Sequence, residues 1–297
     1  MDARRAAPTR DMLWVNGLLL LTALIWGFGF VAQRLGMDHI GPFAFNGIRF
    51  ILGGLCLVPL ALTVREAPAP GKRRIGPLKA GLCAGILLFI AAAAQQIGLV
   101  YTTAGKAGFI TGMYVVFVPC IGMLMGRRYA WPVWAGAALA TVGLYLLSVQ
   151  GPLMLEGGDA LELVGAVFWA LHVIALSHLA PKSEPVRLAM VQFFLCGLCS
   201  LILALILEPL ALSAVRAAFW AILYGGVVSV GAGYTLQVVV QRRAKPTHAA
   251  ILLSTEAPFA ALGGWLLLNE TLTSRMLAGC VLMFAAMLII QLAPERE

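Results

Sequence analysis

The sequence predicts an all-α membrane protein of ten transmembrane helices, arranged as two inverted five-helix repeats around a central cavity. Three observations predict it. The 297-residue chain is 61% hydrophobic and only 11% charged, with mean hydropathy +0.92, a composition that no soluble domain of this size carries. Its apolar runs each approach the ~20 residues needed to cross the hydrocarbon. The chain also overlays itself when shifted by 143 residues.

The runs fall near 13–34, 43–63, 77–100, 105–126, 131–149, 159–179, 187–207, 216–240, 246–268 and 274–293. Short connections leave no extramembrane domain for separate chemistry. The first run follows a basic tail (1–12, with Arg4, Arg5 and Arg10). It is too long for a signal-peptide core and lacks a convincing cleavage pattern, so it is expected to be retained. The second carries Arg49 about two turns in, roughly 9 Å deep at 1.5 Å per residue. That position suits either snorkelling to headgroups or attracting a carboxylate. Runs three and four hold the pairs Gly81–Gly85, Gly108–Gly112 and Gly122–Gly126, and runs eight and nine answer with Gly225-Gly226, Gly231, Gly233 and Gly263-Gly264. Such small faces let helices approach closely or line a hinge. In the ninth run, Pro258 lacks an N–H and its ring crowds the carbonyl of Ser254. Glu256 lies two residues away, where a carboxylate costs about 2.5–3.5 kcal/mol on insertion scales. The ninth run therefore reads as a broken helix beside a polar path, with its freed carbonyl satisfied by neighbours or a water-filled cavity.

Lys and Arg set the orientation. All of the 21 except Arg34, Arg49, Lys106, Arg216 and Arg275 fall at one end of the runs, so both termini are expected in the cytoplasm. The other side holds the linker 150–158 and the acidic stretch Glu156–Glu162. The net charge of +8 is thereby a topogenic signal and not a nucleic-acid surface. The six cysteines all lie in apolar runs. Cys196 and Cys199 have CxxC spacing without a His or a second pair, so they read as small buried residues; no metal or cofactor is expected.

In the 143-residue overlay, Trp26 falls on Trp169, Pro42 on Pro185, Gly54-Leu55-Cys56 on Gly197-Leu198-Cys199, and Ala135-Gly136 on Ala278-Gly279. The register is ungapped. The halves are 13–149 and 159–293, followed by the tail 294–297. Five runs per half is odd, so the second copy enters from the opposite face. Inverted repeats with a site near the midplane are the build of alternating-access carriers.

The piece Leu252–Thr273, LLSTEAPFAALGGWLLLNETLT, followed by Gly279, resembles the drug/metabolite transporter superfamily in its ten-helix EamA-type branch. Ala104–Arg128 is similar but degenerate: Val115 stands opposite Pro258, Met113 opposite Glu256 and Arg127 opposite Glu270, and Pro119 offers an alternative break. The resemblance covers nearly the whole chain. It implies a basket of central helices around a cavity and export of small metabolites. Among members, aromatic amino acid exporters of the YddG type are the suspected likeness.

A residue type shared by both halves is explained by scaffold. A polar residue matched to an apolar one is not. Trp26 and Trp169 are mid-run, unlike Trp14, Trp131, Trp134, Trp220 and Trp265 near run ends, and read as scaffold packing or as a wall for an aromatic ligand. His172, opposite Gly29, bonds a neighbouring helix or contacts substrate. Glu256, read as the only acid deep within a run, is either a protonated packing residue or a site for a substrate ammonium or a coupling proton. Gln95, Gln96, Thr111, Tyr114, Ser229, Tyr234, Gln237 and Ser254 complete a broken polar line through the central helices. Some of these are ordinary interhelical bonds, worth about 0.6 kcal/mol each on average.

The expectation is a bacterial inner-membrane exporter of aromatic and hydrophobic amino acids, working by alternating access with possible proton coupling, in contact with lipid and with no nucleic acid. Export of another metabolite or a cationic drug is the alternative, and a pore-type protein a lesser one. An enzyme is disfavoured because no HExxH, GxSxG, phosphate-binding glycine loop or nearby carboxylate pair occurs. Asn269-Glu270-Thr271 is a glycosylation sequon that matters only in a eukaryotic secretory membrane, and no other eukaryotic sorting signal accompanies it.

Overall fold

The computed structural model describes residues 10–63, 74–101, 104–149 and 157–291. Residues 1–9 and 292–297, Arg65, Lys72, Arg73 and the linker residues 150–156 lie outside the described residues, whereas 10–12 open α1 and 157–158 open α7. Every described element is helical. α1 (Arg10–Met37), α2 (Pro42–Thr63), α3 (Pro77–Tyr101), the broken pair α4 (Ala104–Gly112) and α5 (Tyr114–Leu124), and α6 (Trp131–Ser148) form the first half. The second half comprises α7 (Gly157–Leu179) and α8 (Pro185–Leu207), then the short α9 (Leu212–Ala217) and α10 (Phe219–Leu223). A π-helical segment (Tyr224–Tyr234), α11 (Thr235–Val240), the broken pair α12 (Pro246–Ser254) and α13 (Glu256–Leu268), and α14 (Ser274–Gln291) complete it. Among the described residues, eight stretches are long and apolar enough to span a bilayer, and Gly108–Leu124 and Ser274–Ile290 are shorter apolar helices. Large apolar side chains cover the outside, as with Leu124 at 88% and Leu205 at 72% exposure. A lipid solvent accounts for such a surface; water does not.

The packing follows an approximate two-fold. α2 packs on its repeat-mate α8, and α6 on its repeat-mate α14. α3 packs on α7 and α8, while the stretch Phe219–Val240, which is α3's repeat-mate, packs on α1 and α2. α4 and α5 lie against α7, and α12 and α13 against α1. One face gathers Asp11 with Arg243 (3.9 Å) and the Ile75 N–H on the Lys182 carbonyl (2.9 Å). The other joins Arg34 to Glu270 (3.6 Å).

Glycine sets the closest approaches. A Cβ on Gly143 would lie 2.8 Å from the Gly279 carbonyl oxygen, so α6 and α14 meet backbone to backbone. Gly81 and Gly85 do the same for α3 on α8. Asn269 ends α13 in the left-handed conformation (φ 55°), and the Glu270 N–H closes the last turn on the Gly264 carbonyl at 3.2 Å. At the N-terminus of α2, the Phe43 and Ala44 N–H groups each donate to one carboxylate oxygen of Glu208 at 2.8 Å. A carboxylate there satisfies two orphan donors and complements the helix dipole.

The two helix breaks stand at nearly matched positions. Met113 N–H donates to the Ile110 carbonyl (3.1 Å) and Thr255 N–H to the Leu252 carbonyl (3.2 Å), so each helix tightens for one turn. Pro258 accounts for the second break. The expectation that Pro119 supplies the first is corrected: the chain breaks at Met113, and Pro119 sits inside a continuous α5. In the first half the break thus keeps the repeat position without a proline there. The described cysteines are all free, Cys196 and Cys199 included.

Candidate functional site

The two breaks and the π segment converge on one cavity. α1 contributes Trp26, Phe30 and Gln33, α2 Arg49, and α3 Gln95. Thr111 and Tyr114 flank the first break, and Leu253 and Glu256 the second. Trp169 and Val173 of α7, Ser229 and Tyr234 of the π segment, and Gln237 of α11 close the wall. The space not occupied by atoms is about 490 Å³, its open mouth included.

Aromatic rings build one side. Tyr234 is the hub, with ring centroids 4.4 Å from Trp26 and 6.0 Å from Trp169, the latter stacked at 22°. Phe50 and Phe193 pack behind Tyr234 at 5.8 and 6.1 Å. The matched tryptophans differ in their polar edge. Trp26 Nε1 donates to the Ser229 carbonyl at 3.3 Å, whereas Trp169 Nε1 is buried without a hydrogen-bond partner. An eleven-residue π stretch that offers a carbonyl sideways is the kind of irregularity that recurs at functional sites.

Polar groups occupy the rest. Glu256 opens α13 and is 9% exposed. The Tyr114 hydroxyl lies beside its carboxylate. Gln95 Nε2 donates to Thr111 Oγ1 (3.3 Å), and Thr111 Oγ1 donates to Glu162 Oε2 (2.8 Å). Gln33 Nε2 donates to the Gly29 carbonyl at 3.3 Å.

The structure brings Trp26, Gln95, Thr111, Tyr114, Trp169, Ser229, Tyr234, Gln237 and Glu256 together around the cavity. Gln96, His172 and Ser254 are not in its wall. Gln96 is fully buried on another face of α3, because neighbouring helical residues point about 100° apart. His172 Nε2 is 3.0 Å from Gln192 Oε1, a link between α7 and α8. The Ser254 hydroxyl turns back to the Ile251 carbonyl at 2.8 Å. His178, placed near the helix end, accepts from Arg127 Nη2 at 2.7 Å and donates from Nδ1 to the Ile174 carbonyl at 2.8 Å.

Two expectations are corrected. Arg49 does not snorkel: it is 2% exposed and faces the cavity. Glu256 is not the only buried acid, and Glu162 is not in a loop. Glu162, grouped by sequence with an acidic loop, is fully buried in α7; its Oε1 has no partner, and a Cβ on Gly98 would lie 2.7 Å from that atom. The comparison between halves carried the signal, since Glu162 falls on Leu19.

The EamA-like transporter family model matches this chain twice, over residues 13–149 and 157–292. The chain belongs to the EamA-like transporter family. An uncharacterized transporter of Archaeoglobus fulgidus is 32% identical over 92% of this chain and 84% of its own. The inner membrane transporter YedA of Escherichia coli is 26% identical over 94% of this chain and 92% of its own. A probable amino-acid metabolite efflux pump of Salmonella typhimurium is 26% identical over 92% and 93%. A solved crystal structure shares the fold with TM-score 0.77 at 16% identity, covering 96% of this chain and 98% of that one. This EamA protein is thus a multi-pass membrane transporter built on two copies of one repeat.

Proposed function

We propose that this EamA transporter exports aromatic and hydrophobic amino acids across a bacterial inner membrane, with ten spans, inverted halves and both termini in the cytoplasm. The observation that carries the substrate class is the pairing of an aromatic wall (Trp26, Trp169, Tyr234) with a buried carboxylate, Glu256, in one cavity. Stacked and tilted rings hold an aromatic or branched side chain through area and quadrupole contacts. Glu256 holds the ammonium, and Gln95, Thr111, Tyr114, Ser229 and Gln237 supply weaker polar contacts. A related protein named as a probable amino-acid metabolite efflux pump supports the same class.

The halves rock about this site, and the breaks at Met113 and Thr255 and the π segment are the bending points. Irregular backbone is tolerated at membrane depth where it lines a cavity. A cationic aromatic drug is the second reading, favoured by the same carboxylate-and-ring pairing.

The experiment is counterflow of radiolabelled phenylalanine and tryptophan in liposomes holding the purified protein, with and without a pH gradient. Saturable exchange blocked by unlabelled aromatic amino acids is the expected result, and the gradient reports on proton coupling. Folded protein that gives no flux above empty liposomes rejects the amino acid assignment.

A further inference from the structure

Arg49 is 2% exposed, deep among helices and in the cavity wall. Its Nε donates to Asn46 Oδ1 at 2.9 Å, and Asn46 Nδ2 donates to the Ala92 carbonyl at 3.0 Å. That chain clamps the guanidinium in one orientation. The stem passes over Gly225, where a Cβ would stand at ordinary contact distance, 3.4 Å, from Arg49 Cδ. Phe45 and Phe50 lie 5.4 and 5.0 Å from the guanidinium carbon, and their ring faces offset part of the buried charge.

What Arg49 lacks is an anion. Among the described residues no carboxylate stands within salt-bridge distance, and its two terminal nitrogens, Nη1 and Nη2, make no protein hydrogen bond. A buried charge without a counter-charge is strongly destabilising, and guanidinium is a rigid fork suited to two carboxylate oxygens. The scaffold does not require it: the matched residue of the second half is the neutral Gln192, whose Oε1 is engaged by His172.

We propose that Arg49 reads the carboxylate of the transported molecule, so that a substrate must carry one. With Glu256 on the same cavity, the site is then matched to a zwitterion: carboxylate on Arg49, ammonium on Glu256, side chain on the rings. An amine without a carboxylate leaves Arg49 unpaired and is excluded, which separates amino acids from cationic drugs. This inference rests on the cavity being the substrate site.

The test measures phenylalanine counterflow for the wild type, Arg49→Lys and Arg49→Gln, with phenylalanine, phenethylamine and 3-phenylpropionate as competitors. Arg49→Gln is expected to raise half-saturation tenfold or more and Arg49→Lys less, while phenethylamine competes at least tenfold more weakly than phenylalanine in the wild type. Unchanged half-saturation in Arg49→Gln, or equal competition by phenethylamine, overturns the proposal. The wild-type competition arm needs no variant to fold.

A ligand-free melting measurement separates a binding role from a structural one. Arg49→Met should melt no lower than the wild type if the charge awaits a ligand, and a markedly lower melt of that variant overturns the proposal. If the wild type carries no phenylalanine, the amino acid reading falls. Arg49 is then decided by melting shifts with 3-phenylpropionate and benzoate. Stabilisation by these carboxylates that is lost in Arg49→Gln supports it, and absence of any shift overturns it.

Discussion

The Thr111 hydroxyl donates to Glu162 Oε2 at 2.8 Å, tying the end of α4 to α7 just beside the first helix break. Thr111→Val deletes the donor and leaves a fully buried carboxylate with its other oxygen already unpartnered. The expected loss is about 1–3 kcal/mol of stability, because an orphaned buried group costs its desolvation. The double variant Thr111→Val/Glu162→Leu should recover most of that loss. Melting in detergent checks both, and a double variant as unstable as the sum of the singles contradicts the coupling.

Glu208 caps α2 from the far end of α8. Glu208→Ala should cost about 1–2 kcal/mol, the range for a lost N-cap with its dipole interaction. Amide exchange at Phe43 and Ala44 should accelerate selectively. Uniform exchange across the protein would point instead to global loosening.

Glu256→Gln keeps the shape of the site and removes its charge. Counterflow should fall at least tenfold while the melting temperature changes by only a few degrees. Equal transport at equal protein level removes Glu256 from the mechanism.

The matched tryptophans should respond differently. Trp26→Phe deletes the 3.3 Å bond to the Ser229 carbonyl and should cost about 0.5–1.5 kcal/mol. Trp169→Phe removes an N–H that has no protein partner, so its stability should change less. Its half-saturation for substrate should rise if that N–H is used in binding. Parallel melting and transport measurements on the two variants decide between these outcomes.

Backbone contact between α6 and α14 predicts that Gly143→Val is destabilising by about 1–3 kcal/mol through overpacking. Gly17→Ala is the control. Nothing lies within 4 Å of a Cβ there, and replacing a helical glycine gains about 0.5–1 kcal/mol. Matching melts for the two variants would refute the close approach.

The membrane-spanning helical character, the two-repeat organisation and several residues of the cavity wall are legible in the sequence, each for a physical reason. A bilayer imposes a fixed length of apolar chain, which any reading of Leu, Ala and Val runs detects. Duplication leaves a register, and Trp26 and Trp169 keep it. Pro258 announces its break because it lacks a donor. Polar residues in apolar runs stand out, which is why the cavity residues Gln95, Thr111, Tyr114 and Glu256 are legible in the sequence.

Which way each of those residues points was decided by tertiary structure. In a soluble helix, the polar face marks the outside. Here lipid and helix interior are both apolar, so the amphipathic stripe that would orient a helix is erased. Gln95 faces the cavity and Gln96 does not, though no sequence rule separates them. His172 meets Gln192 across twenty residues of chain, and Glu208 reaches α2 across 165. Arg49 is the sharpest case. Its depth along α2 was readable, but a long side chain at that depth can reach the headgroups or turn inward. Only the packing of α2 against α8 and the π segment turns it into the cavity.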